Sequence, residues 1–260
     1  MKLKDKVAIV TGAAGGIGEA TAVLFAQNGA KVAVVDLRTD QAAQTVKTIA
    51  DAGGIAHAIG GDVSSATDVQ RIIQETVQKL GRPTVLINNA GVDLEGRNDI
   101  VDVSEEAFDR TMAVNVKGPW LMMRYVIPHM KKAGGGSIVN TASVAAFFAA
   151  SSAGYCGSKA AVVAMSRVAA IELGRYNIRV NSLCPGATET PMARKEREKL
   201  EAAGKPTSSD MINRMSVLGR MATSMEMAKA ALFLASDDSS FATGAPFIID
   251  GGWTSIAGVR

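Results

Sequence analysis

Apolar residues follow two different spacings along the chain. Short runs of four to six residues, rich in valine and isoleucine, are typical of strands that are buried on both faces. Turn-forming residues separate these runs from the longer stretches between them. The runs predict strands at residues 7–11, 31–36, 56–60, 85–88, 137–141, 179–183 and 246–250.

The longer stretches place apolar residues at the intervals of an amphipathic helix. They predict helices at residues 17–28, 41–52, 66–80, 105–114, 119–132, 155–176 and 225–235. Strands and helices alternate almost throughout, an order that favours right-handed crossovers in a parallel sheet. The predicted fold is α/β, a doubly wound parallel sheet of about seven strands with helices on both faces.

The length of the chain fits a single domain. Its 260 residues, 47% apolar and 20% charged, are typical of one ordinary α/β enzyme domain, which we predict to span residues 1–260. The longest connection, at about residues 185–217, is rich in charge and contains Pro191 and Pro206. We interpret it as a substrate lid, the alternative being a variable surface excursion.

Charge and residue counts exclude several classes of function. The net charge is +3 and no block of lysine or arginine stands out, so neither nucleic acid nor a membrane is an expected partner. Cys156 and Cys184 are far apart in the sequence, and His57 and His129 are isolated, so no metal site or disulfide framework is predicted. Because no apolar run is long enough for a signal peptide or a membrane span, a cytoplasmic location is expected.

The first predicted strand leads directly into a glycine-rich turn. The turn reads Thr-Gly-Ala-Ala-Gly-Gly-Ile-Gly over residues 11–18 and precedes a predicted helix. Glycines at such a turn let the backbone approach a pyrophosphate at the helix N-terminus. The turn has no Gly-Lys-Ser/Thr ending, which excludes a P-loop. The pattern therefore predicts a Rossmann-type dinucleotide site.

Asp36 ends the second predicted strand, about 20 residues after the glycine-rich turn, where a carboxylate accepts hydrogen bonds from an adenosine ribose. Its negative charge would repel the 2′-phosphate of NADP. The turn itself offers no arginine or lysine to a phosphate, so NAD is the predicted cofactor. Arg38 is a nearby counter-argument, and Asp36 could instead only cap the end of its strand.

Tyr155 and Lys159 are four residues apart at the start of a long predicted helix, so they share one helical face. A tyrosine with a pKa of about 10 is a weak base near neutral pH. A lysine charge beside it, together with a positive nicotinamide ring, favours the phenolate. Ser143 follows the preceding strand at the edge of the sheet where ligands bind, and could donate a hydrogen bond to a substrate oxygen.

With these motifs in this order, the chain resembles the short-chain dehydrogenase/reductase family from its first predicted strand to its last. The matching positions are the glycine-rich turn, Asp62-Val63, the Asn-Asn-Ala-Gly sequence at 88–91, Asn115, Ser143, Tyr155 with Lys159, and Pro185-Gly186 with Thr190.

The resemblance implies a role for each matching residue. Tyr155 is expected to act as the general acid/base, Lys159 to lower its pKa and hold the nicotinamide ribose, Ser143 to orient the substrate, and Asn115 to support a proton relay. Asn88 and Asn89 could equally support the central strand. The expected cofactor contacts are Gly12, Gly16, Ile17, Gly18, Asp36, Asp62, Val63, Asn89, Ala90, Gly91, Tyr155, Lys159, Pro185, Gly186, Thr188 and Thr190.

Apolar residues at 144–150 follow the predicted catalytic serine, where the walls of a substrate pocket are expected. We expect a largely apolar substrate that contacts Ser143, Ala145, Tyr155 and Met192. Asp93, Glu95 and Arg97 could meet a polar substrate group, although a solvated loop is the favoured interpretation. The resemblance also implies a homotetramer.

The function that these observations favour is NAD(H)-dependent interconversion of a secondary alcohol and a ketone. One alternative is an NADPH-dependent reductase of 3-oxoacyl thioesters, against which Asp36 argues. An alternative of another class is a nonenzymatic dinucleotide-binding sensor, which would have no need for Tyr155, Lys159, Ser143 and Asn115 together.

Overall fold

Seven parallel strands form one sheet in a computed structural model that describes residues 1–96, 98–202, 204 and 216–256. Across the sheet the order is β3-β2-β1-β4-β5-β6-β7, and every neighbouring pair is parallel. The predicted fold class is confirmed. The strands are β1 (Val7–Thr11), β2 (Lys31–Asp36), β3 (Ile55–Gly60), β4 (Val85–Asn88), β5 (Gly136–Thr141), β6 (Ile178–Pro185) and β7 (Pro246–Ile249).

Helices connect the strands and cover both faces of the sheet. None of the described helices is long and apolar enough to cross a membrane. They are α1 (Gly16–Gln27), α2 (Thr39–Asp51), α3 (Ala66–Lys79), α4 (Glu105–Met112), α5 (Gly118–Lys132), α6 (Ala153–Leu173), α7 (Pro191–Ala202), α8 (Ser224–Ala235) and α9 (Trp253–Ile256).

Two apolar cores lie on the two faces, because successive side chains of a strand point in opposite directions. Ile9 of β1 packs into the core that includes residues of α3, α5 and α6. Its neighbours Ala8 and Val10 pack into the other core, with residues of α1, α2 and α8. Burial on both faces explains why the strands are continuous apolar runs rather than alternating patterns.

A π-helical turn, Ala113–Lys117, joins α4 to α5. The sequence pattern predicted two separate helices with a break before Pro119. In the structure the helical path continues through the π-helical turn into α5, and Pro119 lies just after that turn. The wider turn gives the helix one extra residue at Asn115, a kind of distortion that is common at functional sites.

The connection after β6 is partly regular. Thr188 forms an isolated parallel bridge with Ala222, and α7 exposes the charged side chains of Arg194, Lys195, Arg197 and Glu198 to solvent. Residues 203 and 205–215 of the predicted lid lie outside the described residues.

Neighbouring strands β1 and β4 lie where the sheet reverses its winding. From β1 the chain continues to β2 and β3 on one side of the sheet, and from β4 it continues to β5, β6 and β7 on the other side. The connections that follow β1 and β4 therefore cross opposite faces of the sheet, and a crevice opens between them at the carboxyl ends of these strands. The glycine-rich turn and the Asn-Asn-Ala-Gly sequence both follow these ends.

Candidate active site

The glycine-rich turn requires glycine for conformation and for space. Gly12 and Gly16 have φ angles of +63° and +58°, a region that side chains disfavour. A Cβ on Gly18 would lie 2.1 Å from the carbonyl oxygen of Gly12. At the start of α1, Gly15 supplies no capping side chain. The first N–H groups of this helix therefore suit an anion such as a pyrophosphate.

Asn89 holds the turn in place. Its Nδ2 donates hydrogen bonds to the carbonyl oxygens of Thr11 and Gly12, at 3.1 and 3.2 Å. The backbone N–H groups of Asn89 and Ala90 donate to Oγ1 of Thr11, at 3.0 and 3.1 Å. Asn88, in turn, donates to Oδ1 of Asn140 on the neighbouring strand. Both asparagine side chains thus donate hydrogen bonds to other residues of the protein, which agrees with a role in supporting the central strand.

Asp36 lies at the edge of the same crevice, almost completely buried. One carboxylate oxygen accepts a hydrogen bond from the backbone N–H of Ala14, and the other accepts one from Arg38 N, both at 3.0 Å. The Nε atom of Arg38 is 3.5 Å from the same carboxylate, and its side chain is half exposed. The carboxylate is therefore fixed between the glycine-rich turn and the end of β2, where a ribose is expected.

Asp62 is held by two polar partners. Arg110 on α4 donates to Asp62 Oδ2 at 2.9 Å, and Ser64 donates to Oδ1 at 2.7 Å. Although partial burial opposes the shift, hydrogen bonds from Ser64 and Arg110 lower the pKa of the Asp62 carboxyl. Val63 is buried and its side chain lies close to Gly118. The sequence analysis missed Arg110, because a lone arginine on an amphipathic helix is usually a solvent-facing charge.

Tyr155, Lys159 and Ser143 come together at the carboxyl edge of the sheet. Tyr155 lies in the first turn of α6, which is capped by Ser152. Its hydroxyl lies near Ser143, two residues beyond the end of β5, and the Ser143 side chain lowers the pKa of the phenol. The Nζ atom of Lys159 is 5.5 Å from the centre of the Tyr155 ring and donates to the carbonyl oxygen of Thr141 at 3.0 Å.

Burial dominates the acidity of this pair. It raises the pKa of the Tyr155 phenol to about 12, with a further increase from the charge of Asp93 and an opposing effect of the hydrogen bond from Ser143. Burial also lowers the pKa of the Lys159 ammonium to about 8. Burial thus outweighs the lowering effect of Ser143 on the pKa of the phenol. That Lys159 together with a bound nicotinamide ring lowers this pKa stays a prediction.

Asn115 lies in the π-helical turn and points at the connection after β4. Its Oδ1 accepts from the backbone N–H of Val92, and its Nδ2 donates to the carbonyl oxygen of Val92, both at 2.8 Å. A further bond joins Nδ2 to Oγ of Ser158. A Cβ on Gly91 would lie 3.2 Å from Nζ of Lys159 and 3.3 Å from Oδ1 of Asn115, so both side chains border this glycine.

The end of β6 approaches the glycine-rich turn from the other side. Thr190 and Pro191 lie about van der Waals distance from the position of a Cβ on Gly16. Thr188 donates to the carbonyl oxygen of Gly186, and Thr190 caps the start of α7 by accepting from Ala193 N. Pro185 and Gly186 pair with the end of β7. The structure thus brings the expected cofactor contacts of β1, β4 and β6 to one edge of the sheet.

The expected substrate residues differ in exposure. Val144 and Ala145 are buried, whereas Phe147 and Met192 are each nearly half exposed. Phe148, in the same apolar segment, packs edge-to-face on the ring of Trp253 at a centroid distance of 5.1 Å. An aromatic residue so near the C-terminus gave no signal of this contact in the sequence.

Glu95 corrects the favoured interpretation of a solvated loop after Gly91. Its side chain is buried, and it accepts a hydrogen bond from the backbone of α6. Asp93 bonds to Ser151. Arg97 lies outside the described residues. Nothing in the spacing of these acids distinguished a buried carboxylate from an exposed one.

Groups of histidine, cysteine or acidic side chains that could hold a metal ion are absent from the described part of the chain. Cys156 is half-buried and Cys184 is buried.

Known proteins resemble this chain along nearly its whole length. A family model described as Enoyl-(Acyl carrier protein) reductase matches residues 12–254. The chain is 40% identical to the 3-oxoacyl-(acyl-carrier-protein) reductase FabG of Thermotoga maritima, over 97% of this chain and 99% of that protein. It is 40% identical to a 2,5-dichloro-2,5-cyclohexadiene-1,4-diol dehydrogenase of Sphingobium indicum, with 98% and 99% covered. It is 34% identical to a cyclohexanol dehydrogenase of an Acinetobacter species, with 98% and 97% covered.

Solved structures give the same result. A short-chain type dehydrogenase/reductase from Mycobacterium marinum superposes with a TM-score of 0.89 at 33% identity, covering 97% of each chain. Levodione reductase superposes with a TM-score of 0.91 at 30% identity, covering 97% of this chain and 99% of the other.

The Asp62–Arg110 pair gives a first testable prediction. Replacement Arg110→Gln removes the cation that fixes the carboxylate of Asp62, so we expect a severalfold increase in the Kd for the dinucleotide with little change in kcat at saturation. Fluorescence titration with NADH measures the Kd. Replacement Arg124→Gln, on a side chain that stacks on Trp120 and Tyr125, is the matched control and should change neither quantity. An unchanged Kd in Arg110→Gln would contradict the prediction.

Proposed function

This chain belongs to the short-chain dehydrogenase/reductase family, and we propose that it interconverts a secondary alcohol and a ketone with NAD(H), using Tyr155 as the general acid/base. The family and the relatives make the protein an oxidoreductase that binds a nicotinamide dinucleotide. The choice of NAD, the role of Tyr155 and the kind of alcohol are the proposal.

The observation that supports the proposal most is the cluster of Tyr155, Ser143 and Lys159 at the carboxyl edge of the sheet. Ser143 lies near the phenol and lowers its pKa, and Lys159 lies beside its ring. The glycine-rich turn, with a helix start that has no capping side chain, fits the pyrophosphate of a dinucleotide. A protein that only binds the dinucleotide has no use for the cluster.

The chain's own residues account for the proton transfer. Tyr155 and Ser143 are placed to hydrogen-bond the hydroxyl of an alcohol, and Tyr155 takes its proton during oxidation or returns it during reduction. A bound nicotinamide ring supplies the hydride chemistry. Lys159 is positioned to favour the phenolate by its charge and to bind the ribose that carries this ring. Asn115 would support the path of the proton through its bonds to Val92 and Ser158.

The raised pKa of Tyr155 gives the reaction a pH dependence. Alcohol oxidation requires the phenolate, whose population rises as the pH approaches the pKa of the phenol. Ketone reduction requires the phenol, which is abundant near neutral pH. The charge of Lys159 would act to lower this pKa during oxidation.

The preference for NAD rests on Asp36. Its two oxygens accept hydrogen bonds from backbone N–H groups of Ala14 and Arg38, which hold the carboxylate between the glycine-rich turn and the end of β2. A 2′-phosphate at that place would meet a fixed negative charge. Arg38 is the residue that could oppose this preference, but it already faces the carboxylate of Asp36.

The kind of substrate is proposed from the relatives and from the lining of the pocket. Two relatives carry names that specify an alcohol on a six-membered carbon ring. Phe147 and Met192 are large apolar side chains with nearly half of their surface exposed beside the site. A cyclic, largely apolar secondary alcohol fits both observations.

A second candidate is reduction of a 3-oxoacyl thioester with NADPH. The 40% identity to a 3-oxoacyl-(acyl-carrier-protein) reductase supports it, and Asp36 argues against it. The same catalytic residues serve both reactions, so the two candidates differ in cofactor and substrate. Rates with NADH and NADPH, on a cyclic ketone and on a 3-oxoacyl thioester, discriminate them.

Assembly into a homotetramer completes the proposal. Exposed apolar side chains lie on α5, α6 and β7, among them Trp120, Val168, Ile171, Ile248 and Ile249. Large apolar side chains exposed to this extent support an association between subunits.

Replacement Tyr155→Phe tests the proposed catalytic role. The variant lacks the hydroxyl that transfers the proton, so we expect kcat for alcohol oxidation to fall by about 100- to 10,000-fold. The Kd for NADH should stay nearly the same, because the ring and Lys159 remain. Tyr176→Phe is the matched control, since Tyr176 follows the other end of α6 and stacks on Lys131. Near-normal turnover in Tyr155→Phe would refute the mechanism.

Replacement Asp36→Ser tests the cofactor preference. Loss of the carboxylate removes a ribose acceptor and the repulsion of a 2′-phosphate. We expect the ratio of kcat/KM with NAD⁺ to kcat/KM with NADP⁺ to fall by about tenfold or more. Asp40→Ser, an exposed acid in the first turn of α2, should leave the ratio unchanged. If the unaltered protein prefers NADP⁺, the proposed cofactor is wrong.

A further inference from the structure

The helix that contains Tyr155 has no acidic residue in its own first turn. A helix N-terminus has a partial positive charge and N–H groups without helical partners, which acidic side chains often satisfy. Ser152 caps α6 by accepting from the backbone N–H of Tyr155 at 3.2 Å. Two carboxylates from the connection after β4 also lie at the N-terminus of α6.

Glu95 is the first of these carboxylates. Only 3% of its surface is exposed, and its Oε2 accepts a hydrogen bond from Gly154 N at 3.0 Å. Its Oε1 is buried without a hydrogen-bond partner among the described residues. A buried carboxylate oxygen without a partner lowers the stability of the fold. The burial of Glu95 against α6 therefore comes at a cost in the stability of the fold.

Gly154 shows how closely Glu95 fits the helix. A Cβ at this position would lie 2.0 Å from Oε1 of Glu95 and 2.6 Å from its Cδ. Only glycine leaves room for the carboxylate, and Gly154 directly precedes Tyr155. Because Glu95 is in contact with the helix backbone, it is placed to fix the first turn of α6 rather than to bind a substrate.

Asp93 is the second carboxylate. Its Oδ2 accepts a hydrogen bond from Oγ of Ser151 at 2.5 Å, and its Oδ1 is 3.5 Å from Oγ of Ser152 and accepts from Gly96 N. Ser152 is the cap of α6. The hydrogen bonds thus lead from Asp93 through Ser152 to the backbone of Tyr155.

We propose that Asp93 and Glu95 are positioning residues for Tyr155, with Glu95 fixing the first turn of α6 directly and Asp93 holding a negative charge at the same helix end through Ser151 and Ser152. The inference rests on the proposed role of Tyr155 as acid/base. It adds to that role a pair of acids outside the catalytic motifs, and it explains why the chain has glycine at position 154.

The groups around the phenol decide the expected direction of the pH effect. Ser143 faces it from the end of β5 and lowers its pKa, whereas Asp93, from the connection after β4, raises it, as does Cys156 on α6 itself. Lys159 faces the ring from the next turn of α6, and Cys184 on β6 faces Lys159. Removing the charge of Asp93 should therefore ease formation of the phenolate and favour oxidation at lower pH.

Replacement Asp93→Asn tests the charge while keeping an oxygen for Ser151 or Gly96. We expect the apparent pKa in the pH profile of kcat/KM for alcohol oxidation to fall by about 0.5–1 unit. Asp102→Asn removes an exposed charge from the same connection and should not move the profile. Ser151→Ala loosens Asp93 without removing its charge and should also leave the apparent pKa in place. An unmoved profile in Asp93→Asn would overturn the role given to Asp93.

Replacement of Glu95 tests the fixing of the helix. We expect Glu95→Ala to lower kcat about tenfold, the effect of a small displacement of the phenol, while the Kd for NADH stays unchanged. Glu95→Gln keeps an acceptor for Gly154 N and should restore most of kcat. A kcat in Glu95→Ala that matches the unaltered protein, or an equal loss of dinucleotide binding and turnover, would overturn the role given to Glu95.

The failure of this inference is distinguishable from that of the proposed function. If the proposed function is wrong, Tyr155→Phe keeps its turnover or the unaltered protein oxidises no secondary alcohol. If only the inference is wrong, the unaltered protein is active, Tyr155→Phe is inactive, and the Asp93 and Glu95 variants behave like their controls.

Discussion

The arrangement of the active site depends on one buried cation, the ammonium group of Lys159. Only 4% of the residue's surface is exposed, and its Nζ donates to the carbonyl oxygen of Thr141 at the end of β5. Burying a charge is costly unless polar groups surround it, and this cost lowers its pKa to about 8. Gly91 leaves space for the ammonium on the β4 side, and Tyr155 lies one helical turn before it. The cation thus ties α6 to the end of β5 and borders the turn after β4, where the chemistry is proposed.

Tyr155, the proposed catalytic tyrosine, lies on α6 with Lys159, so fixing the ammonium also fixes the position of the tyrosine. Lys159 anchors the second turn of α6 in the sheet, while Ser152 caps its first turn. Glu95 and Asp93 add negative charge at the same end. The pKa of the phenol is therefore raised by burial and by the charge of Asp93 and lowered by Ser143. Nearby charges of opposite sign shift the pKa of a buried group in opposite directions, so its pKa can change without any movement of the group.

The fold and the main motifs could be predicted from the sequence because both follow from local patterns. Buried parallel strands are apolar runs, and glycine at positions 12, 16 and 18 satisfies backbone requirements that few other residues meet. The π-helical turn at Asn115, the ion pair of Arg110 with Asp62 and the burial of Glu95 were not predictable in this way. Each depends on contacts between residues that are distant in the chain, and an acid or an arginine in a polar segment looks the same whether it is buried or solvated.

The central claim is that hydride moves between the carbinol carbon of a secondary alcohol and the nicotinamide dinucleotide in this site. Incubation of the protein with NAD⁺ and a cyclic secondary alcohol, deuterated only at the carbon that bears the hydroxyl, tests it most directly. Mass spectrometry of the reduced dinucleotide should show that each molecule has gained one deuterium, and the reaction should be slower than with the undeuterated alcohol. Reduced dinucleotide without deuterium, or no reduction with any cyclic secondary alcohol, would contradict the account.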